Sequence, residues 1–122
     1  MSNVPLIALL TDFGAADGYP GVMKGVILGI APGIPLVYLT HEIPPQDVRA
    51  AAWVLHTSWR SFPEGSVFLC VIDPGVGSAR HPLACQAGRH IFVGPDNGLF
   101  SYVLAEQTNI RAVILDNPRY FP

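Results

Sequence analysis

The chain has 122 residues, enough for one domain of ordinary size. Half of the residues are hydrophobic and 13% are charged, against a typical charged share of about 25%, so an intrinsically disordered polypeptide is excluded. The formal net charge is −2 and there is no basic stripe, which argues against a nucleic-acid partner. The most apolar stretch, Val22–Ile34, is too short to cross a bilayer and contains Lys24, so we expect no membrane partner.

The first residues carry no basic segment ahead of an apolar one, so we expect no signal peptide and a cytoplasmic location. Cys70 and Cys85 lie inside apolar runs, which predicts buried, reduced thiols with a structural role. The histidines have no metal-ligand spacing, and we predict that they are surface or capping residues. They are His41, His56, His81 and His90. We therefore predict no metal site at these histidines.

The first half of the chain alternates strand and helix patterns. The apolar run Leu6–Leu10 is typical of a buried strand, and it ends in a turn at Asp12. A helix is predicted from Asp17, which can cap it, because valines and isoleucines then recur at helical spacing as far as Pro32. The next apolar run, Pro35–Thr40, predicts a second strand.

The second half continues this alternation. Apolar residues at helical spacing predict an amphipathic helix from Val48 to Trp59. Val67–Ile72 is six consecutive apolar residues, as expected for a central parallel strand covered on both faces. The later predicted elements are a hairpin of Leu83–Ala87 and Ile91–Val93, a short helix through Leu99–Leu104, and a strand at Ala112–Leu115. The order predicts an α/β fold, an open, mostly parallel sheet with helices on both faces.

Polar residues follow nearly every predicted strand. Ligands of open α/β sheets bind outside the carboxyl ends of the strands, so these residues are candidates for a site. They are Asp12, the pair His41-Glu42, Asp73, and the pair Asp96-Asn97. Any one of them could instead serve a turn or a helix cap. Carboxylates at such an edge suit a divalent metal, a vicinal diol or an organic cation, and the residues alone leave this choice open.

Longer motifs give the chain a resemblance to a known family. The motifs are Leu9-Leu10-Thr11-Asp12-Phe13-Gly14, His41-Glu42-Ile43, Phe62-Pro63-Glu64-Gly65-Ser66-Val67, Asp73-Pro74-Gly75-Val76-Gly77-Ser78-Ala79-Arg80 and Gly94-Pro95-Asp96-Asn97-Gly98-Leu99. In this order they resemble the S-adenosyl-L-methionine (SAM) hydroxide adenosyltransferases, the SAM hydrolases related to fluorinase and chlorinase. The resemblance covers essentially the whole chain.

The resemblance implies that water or hydroxide attacks C5′ of the SAM ribose and expels methionine, giving adenosine, with SAM as substrate and no cofactor. Asp12 would hold the ribose hydroxyls, Asp17 would meet the methionine ammonium, and Asp73 with Arg80 would position the water. The other residues expected to bind substrate are Phe13, Tyr19, Gln46, Asp96 and Asn97. A carboxylate at Asp73 would repel a halide, which favours hydrolysis over halogenation.

The resemblance also implies that the chain is an amino-terminal fragment of a homotrimeric enzyme. In the family, a third water-positioning residue, a histidine, and a β-rich domain follow. Gln46 stands where the halogenases carry an aromatic residue that stacks on the ligand. We expect the 122 residues alone to turn over SAM very poorly. The alternatives are a non-catalytic SAM or adenosine-binding module, a halogenase relative, and a metal-dependent hydrolase that uses the aspartates.

Overall fold

A computed structural model describes residues 4–12, 19–45, 47–72, 82–107 and 109–114. The strands in these residues are β1 (Ile7–Thr11), β2 (Leu36–Thr40), β3 (Val67–Val71), β4 (Pro82–Ala87), β5 (His90–Pro95) and β6 (Ile110–Ile114). The helices are α1 (Tyr19–Ile30), α2 (Val48–Ser58), which a 3₁₀ turn at Trp59–Ser61 continues, and α3 (Ser101–Ala105). The predicted elements and their order are confirmed, although β6 begins two residues earlier than the predicted Ala112.

The strands form one sheet in the order β2-β1-β3-β5-β4-β6. The pairs β1–β2, β1–β3 and β3–β5 are parallel, whereas β4 is antiparallel to both of its neighbours. The chain reverses between β4 and β5 at Gly88, whose φ of 61° lies in the left-handed region that tight hairpin turns require. The predicted class, an open and mostly parallel α/β sheet with one hairpin, is confirmed.

The helices lie on both faces of the sheet. The connection from β1 through α1 to β2 steps across the sheet in one direction, and the connection from β2 through α2 to β3 steps in the other. Right-handed crossovers in opposite directions place their helices on opposite faces. Side-chain contacts agree, because Lys24 of α1 lies 4.4 Å from the ring centroid of Tyr38 on β2, whereas α2 packs into the core.

The core lies between one face of the sheet and the helices α2 and α3 that cover it. On this face Phe68 of β3 stacks on Phe92 of β5, with ring centroids 5.1 Å apart, and Trp59 meets Phe92 edge to face. Ala51 and Leu55 of α2 are fully buried against these rings. Small residues on α2 let the helix approach the aromatic layer closely, so burial of this layer supplies most of the hydrophobic stabilisation.

The opposite face of β3 is less completely covered. Along β3, Phe68 and Cys70 are buried, whereas Val67, Leu69 and Val71 are only partly buried. The prediction of a central parallel strand is confirmed, since β3 lies between β1 and β5. The prediction that both its faces are covered holds fully only for the α2 face within the described ranges. None of the helices in those ranges combines the length and the hydropathy that a membrane span needs.

Candidate active site

The carboxyl ends of four strands meet at one edge of the sheet. Strands β2, β1, β3 and β5 run parallel, so the residues that follow them share this edge. Thr11 pairs with Val71, which places Asp12 beside Ile72. Thr40 pairs with Leu10, so the turn after β2 lies on the other side of Asp12. Asp12, a half-buried residue, thus lies in the middle of the edge.

Asn97 ties the loop after β5 to the end of β3. Its Nδ2 donates a hydrogen bond to the backbone oxygen of Ile72 at 2.7 Å, and its Oδ1 accepts from the backbone N–H of Leu99 at 3.2 Å. The side chain therefore fixes the shape of the edge next to position 73. Asp96, the neighbouring residue, is exposed. The predicted substrate contacts of Asp96 and Asn97 stay predictions.

A buried hydrogen bond joins the ends of β1 and β2. Thr11 Oγ1 and His41 Nδ1 are 2.5 Å apart, and the two residues are 0% and 5% exposed. The ring of His41 also meets Tyr38 edge to face, with centroids 4.6 Å apart. In the turn that holds His41, the backbone N–H of Glu42 donates to Thr40 Oγ1 at 2.9 Å. His41 therefore belongs to the candidate site, because it bonds Thr11, the residue directly before Asp12.

Burial is the main reason that the pKa of His41 lies below its usual value of 6.5. The Lys24 ammonium lowers this pKa further, while the Glu42 carboxylate acts in the opposite direction. Protonation would also require both ring nitrogens to donate, and Nε2 is buried without a hydrogen-bond partner in the described part of the chain. Both observations favour the neutral form of the His41 imidazole.

The prediction that the histidines are surface or capping residues is wrong for His41 and His90. His90 is 8% exposed, and its Nε2 lies 3.0 Å from the backbone oxygen of Phe62 while its ring meets Trp59. Both histidines stand next to or within a strand, and each has one ring nitrogen within hydrogen-bond distance of an oxygen, the Thr11 hydroxyl for His41 and the Phe62 carbonyl for His90. His56 is half-buried against Glu106, at 2.7 Å, and His81 lies outside the described residues. In the sequence, the apolar runs next to His41 and His90 are the signal that these two side chains are buried.

The cysteine prediction is confirmed, because Cys70 and Cys85 are both free and buried. Burial raises the pKa of both thiols, and for Cys85 the Asp96 carboxylate adds to this effect. In the residues that the structure describes, no three His, Cys, Asp or Glu side chains lie close enough together to hold a metal ion. The prediction of no metal site remains a prediction.

The structure places three of the predicted site residues, Asp12, Asp96 and Asn97, at the same edge of the sheet. Tyr19 is the first residue of α1, and its side chain is not among those described. The other predicted residues, Phe13, Asp17, Gln46, Asp73 and Arg80, lie outside the described residues. Asp47 Oδ1 caps α2 by accepting from the backbone N–H of Ala50 at 2.9 Å.

A mostly parallel α/β sheet with a carboxylate and an amide at its carboxyl edge is the framework of a small-molecule-binding domain. Residues 7–121 match the family described as the SAM hydroxide adenosyltransferase N-terminal domain. The chain belongs to this family.

Relatives support the assignment. The chain is 46% identical over 116 residues to the (R)-S-adenosyl-L-methionine hydrolase of Thermus thermophilus, covering 95% of this chain and 45% of the relative. A fluorinase of an Actinoplanes species is 29% identical over 141 residues, covering 97% of this chain and 47% of the relative. A crystal structure of a conserved hypothetical protein from Thermus thermophilus aligns with a TM-score of 0.85 and 44% identity, covering 95% and 48% of the two chains. The chain thus spans about half the length of the relatives it matches.

Proposed function

We propose that the protein containing this chain hydrolyses SAM to adenosine and L-methionine. The observation that carries the proposal is the position of Asp12 in a chain of this family, at the carboxyl end of β1 between the ends of β2 and β3. A carboxylate there can accept two hydrogen bonds from the cis-hydroxyls of a ribose. The hydrolase named among the relatives, at 46% identity, supports the same reaction.

The reaction is one in-line displacement. The water oxygen forms a bond to C5′ as the bond from C5′ to the sulfonium sulfur breaks, the electron pair goes to sulfur, and one water proton is lost to solvent. The leaving group is already cationic, so the protein has only to align the water and strip part of its hydration. Proximity and desolvation can lower the barrier by several kcal/mol without a metal.

We propose that Asp73 and Arg80 position the attacking water. Asp73 would accept a hydrogen bond from this water, and Arg80 would favour its hydroxide character. Asp17 would pair with the methionine ammonium of SAM. The remaining contacts to substrate are assigned to Phe13, Tyr19, Gln46, Asp96 and Asn97. These roles rest on the family motifs in which the residues stand.

The test is to incubate the whole protein with SAM and separate the products by chromatography. We expect adenosine and methionine in equal amounts, and loss of at least about 100-fold in rate for Asp73→Asn, because aligned general acid–base groups contribute about 10²–10⁴-fold. Glu64→Gln is the matched control, since Glu64 is an exposed carboxylate before β3 and pairs with Arg89. Its rate should equal that of the wild type.

The competing functions give different products. Saturable SAM binding without adenosine would support a binding module instead, and a 5′-halogenated nucleoside formed in the presence of chloride or fluoride would support a halogenase. The similarity to a fluorinase, at 29% identity, is the reason to include the experiment with halide. Loss of activity in chelator with recovery in magnesium or manganese would support a metal-dependent hydrolase. We propose that the reaction needs no metal and no cofactor, so chelator should leave the rate unchanged.

We also propose that the full-length protein is a homotrimer in the cytoplasm. Exposed apolar side chains on α1, among them Ile30 at 82% exposure, support an interface there. Two free, buried thiols fit a reducing compartment. Light scattering of the whole protein tests the trimer, and fractionation of cells tests the location.

A further inference from the structure

His41 is a polar residue at the end of a strand, is more than nine-tenths buried, and has no role in the proposed mechanism so far. It follows β2 directly, and its hydrogen-bond partner Thr11 directly precedes Asp12. A buried histidine of this kind restricts the geometry of its partner, because breaking the bond leaves a buried polar atom unsatisfied.

The backbone pairing between β1 and β2 ends before Thr11. The register is regular from Ile7 to Leu9, then shifts so that Leu10 pairs with Thr40. The described β1–β2 ladder ends at this irregular pair, before Thr11. The Thr11–His41 side-chain bond therefore continues the connection between the two strands where the backbone pairing stops.

The imidazole of His41 has a second contact, with an aromatic ring. Tyr38 meets the ring edge to face, and Lys24 of α1 lies 4.4 Å from the Tyr38 ring centroid. The hydrogen bond from Glu42 N–H to Thr40 Oγ1 shapes the turn in which His41 stands. Contacts thus run from α1 through β2 to the end of β1.

We propose that His41 is a positioning residue: its imidazole holds Thr11, and through Thr11 the ribose-binding carboxylate of Asp12, at the carboxyl edge of the sheet. This inference rests on the proposed function, since it needs Asp12 to bind a ribose. The charged and titratable groups around the ring are Lys24 on α1, Tyr38 on β2 and Glu42 in the turn. Of these, Lys24 opposes an imidazolium and Glu42 favours one.

The experiment compares Thr11→Val with Thr11→Ser in the whole protein. Valine keeps the shape of threonine and removes the hydroxyl, whereas serine keeps the hydroxyl. We expect Thr11→Val to raise KM for SAM about tenfold with kcat nearly unchanged, because a ribose contact acts in ground state and transition state alike. Thr11→Ser should stay within about threefold of the wild-type KM. A merely structural role would instead lower the active fraction, and so kcat, at constant KM.

A second pair guards against a valine variant that does not fold. His41→Phe fills the ring volume without a nitrogen, and His41→Asn keeps a polar atom near the position of Nδ1. We expect the tenfold rise in KM for phenylalanine and partial rescue by asparagine. His56→Asn, on α2, is the control for the change of residue type and should leave KM unaltered. Equal KM values for wild type, Thr11→Val and His41→Phe would overturn the positioning role.

Binding of adenosine, measured by calorimetry, separates this inference from the proposed function. If the wild type binds adenosine but makes none from SAM, the proposed hydrolysis fails, and about tenfold weaker adenosine binding by Thr11→Val still supports the positioning role. If SAM is hydrolysed with the same KM by all variants, hydrolysis stands and the positioning role fails. If neither SAM nor adenosine binds, both fail.

Discussion

The two long helices of the domain have similar apolar spacing but opposite environments. In α2, Ala51 and Leu55 are fully buried against the aromatic layer of the sheet. In α1, Val22, Val26 and Ile30 form a stripe along the helix that is 63%, 59% and 82% exposed. Helical periodicity therefore indicated a helix in both cases, but it did not indicate which helix the core would bury.

The difference arises from what each helix faces. α2 lies over a layer of aromatic rings and is fixed at its first turn by the Asp47 cap. Among the α1 side chains that the structure describes, only Met23, Lys24 and Ile27 are partly buried, and the Lys24 ammonium contacts the Tyr38 ring. The α2 face thus carries the stability of the domain, while α1 presents an apolar surface to the outside.

The largest expected contrast between the two helices is in leucine truncation. Leu55→Ala removes a fully buried side chain and should lower the free energy of unfolding by about 2–5 kcal/mol, because it leaves a cavity as well as losing buried area. Leu28→Ala, the same change on α1 at a side chain 41% exposed, should cost less than about 1 kcal/mol. Urea unfolding of the purified chain measures both. Equal losses would show that α1 is as well packed as α2.

Two glycine substitutions, Gly94→Ala beside the core and Gly25→Ala on α1, test the same difference in packing. A Cβ at Gly94 would lie 2.7 Å from the backbone oxygen of Cys70 and 3.0 Å from Phe100 Cζ, so Gly94→Ala should destabilise by about 1–3 kcal/mol. A Cβ at Gly25 meets nothing within 4 Å, so Gly25→Ala should stabilise α1 by up to about 1 kcal/mol through helix propensity. Thermal unfolding gives both signs, and a destabilised Gly25→Ala would mean that α1 is packed more closely than its exposure indicates.

The amino-terminal cap of α2 should have a smaller effect. Asp47→Ala removes the acceptor for the Ala50 N–H and should lower stability by about 1 kcal/mol, while Asp47→Asn should retain most of it. Chemical unfolding of the two variants tests the cap. If asparagine and alanine are equally destabilising, the carboxylate acts through its charge rather than as a hydrogen-bond acceptor.

The smallest expected effect is a pH dependence on the α1 side. Because the pKa of His41 is lowered in the folded chain, the unfolded chain binds more protons below pH 6.5, and stability should fall as pH drops from 6.5 toward the folded-state pKa. His41→Asn should lose this component of the slope. Unfolding free energies of both chains between about pH 7 and pH 5 measure it, and parallel pH profiles would show that His41 titrates normally in the fold.

The candidate site was predictable in part. Asp12 and Asn97 were found from the sequence because polar residues that follow parallel strands share one edge of the sheet. That Asn97 ties itself to Ile72 and Leu99 was not predictable, since these contacts join residues brought together only by folding. The burial of His41 was not predictable for a related reason. The sequence shows a histidine in a turn, but not the Thr11 hydroxyl, 30 positions away, that bonds its Nδ1.

The sequence by itself determined the order of strands and helices, the parallel class of the sheet and the membership in the family, because periodicity, turn residues and motifs are local properties of the chain. Only the tertiary structure decided which helix is buried, how the strand ends are tied together, and that His41 is buried beside the Thr11 hydroxyl. Each of these depends on burial and on partners distant in the sequence, and both exist only once the sheet has formed.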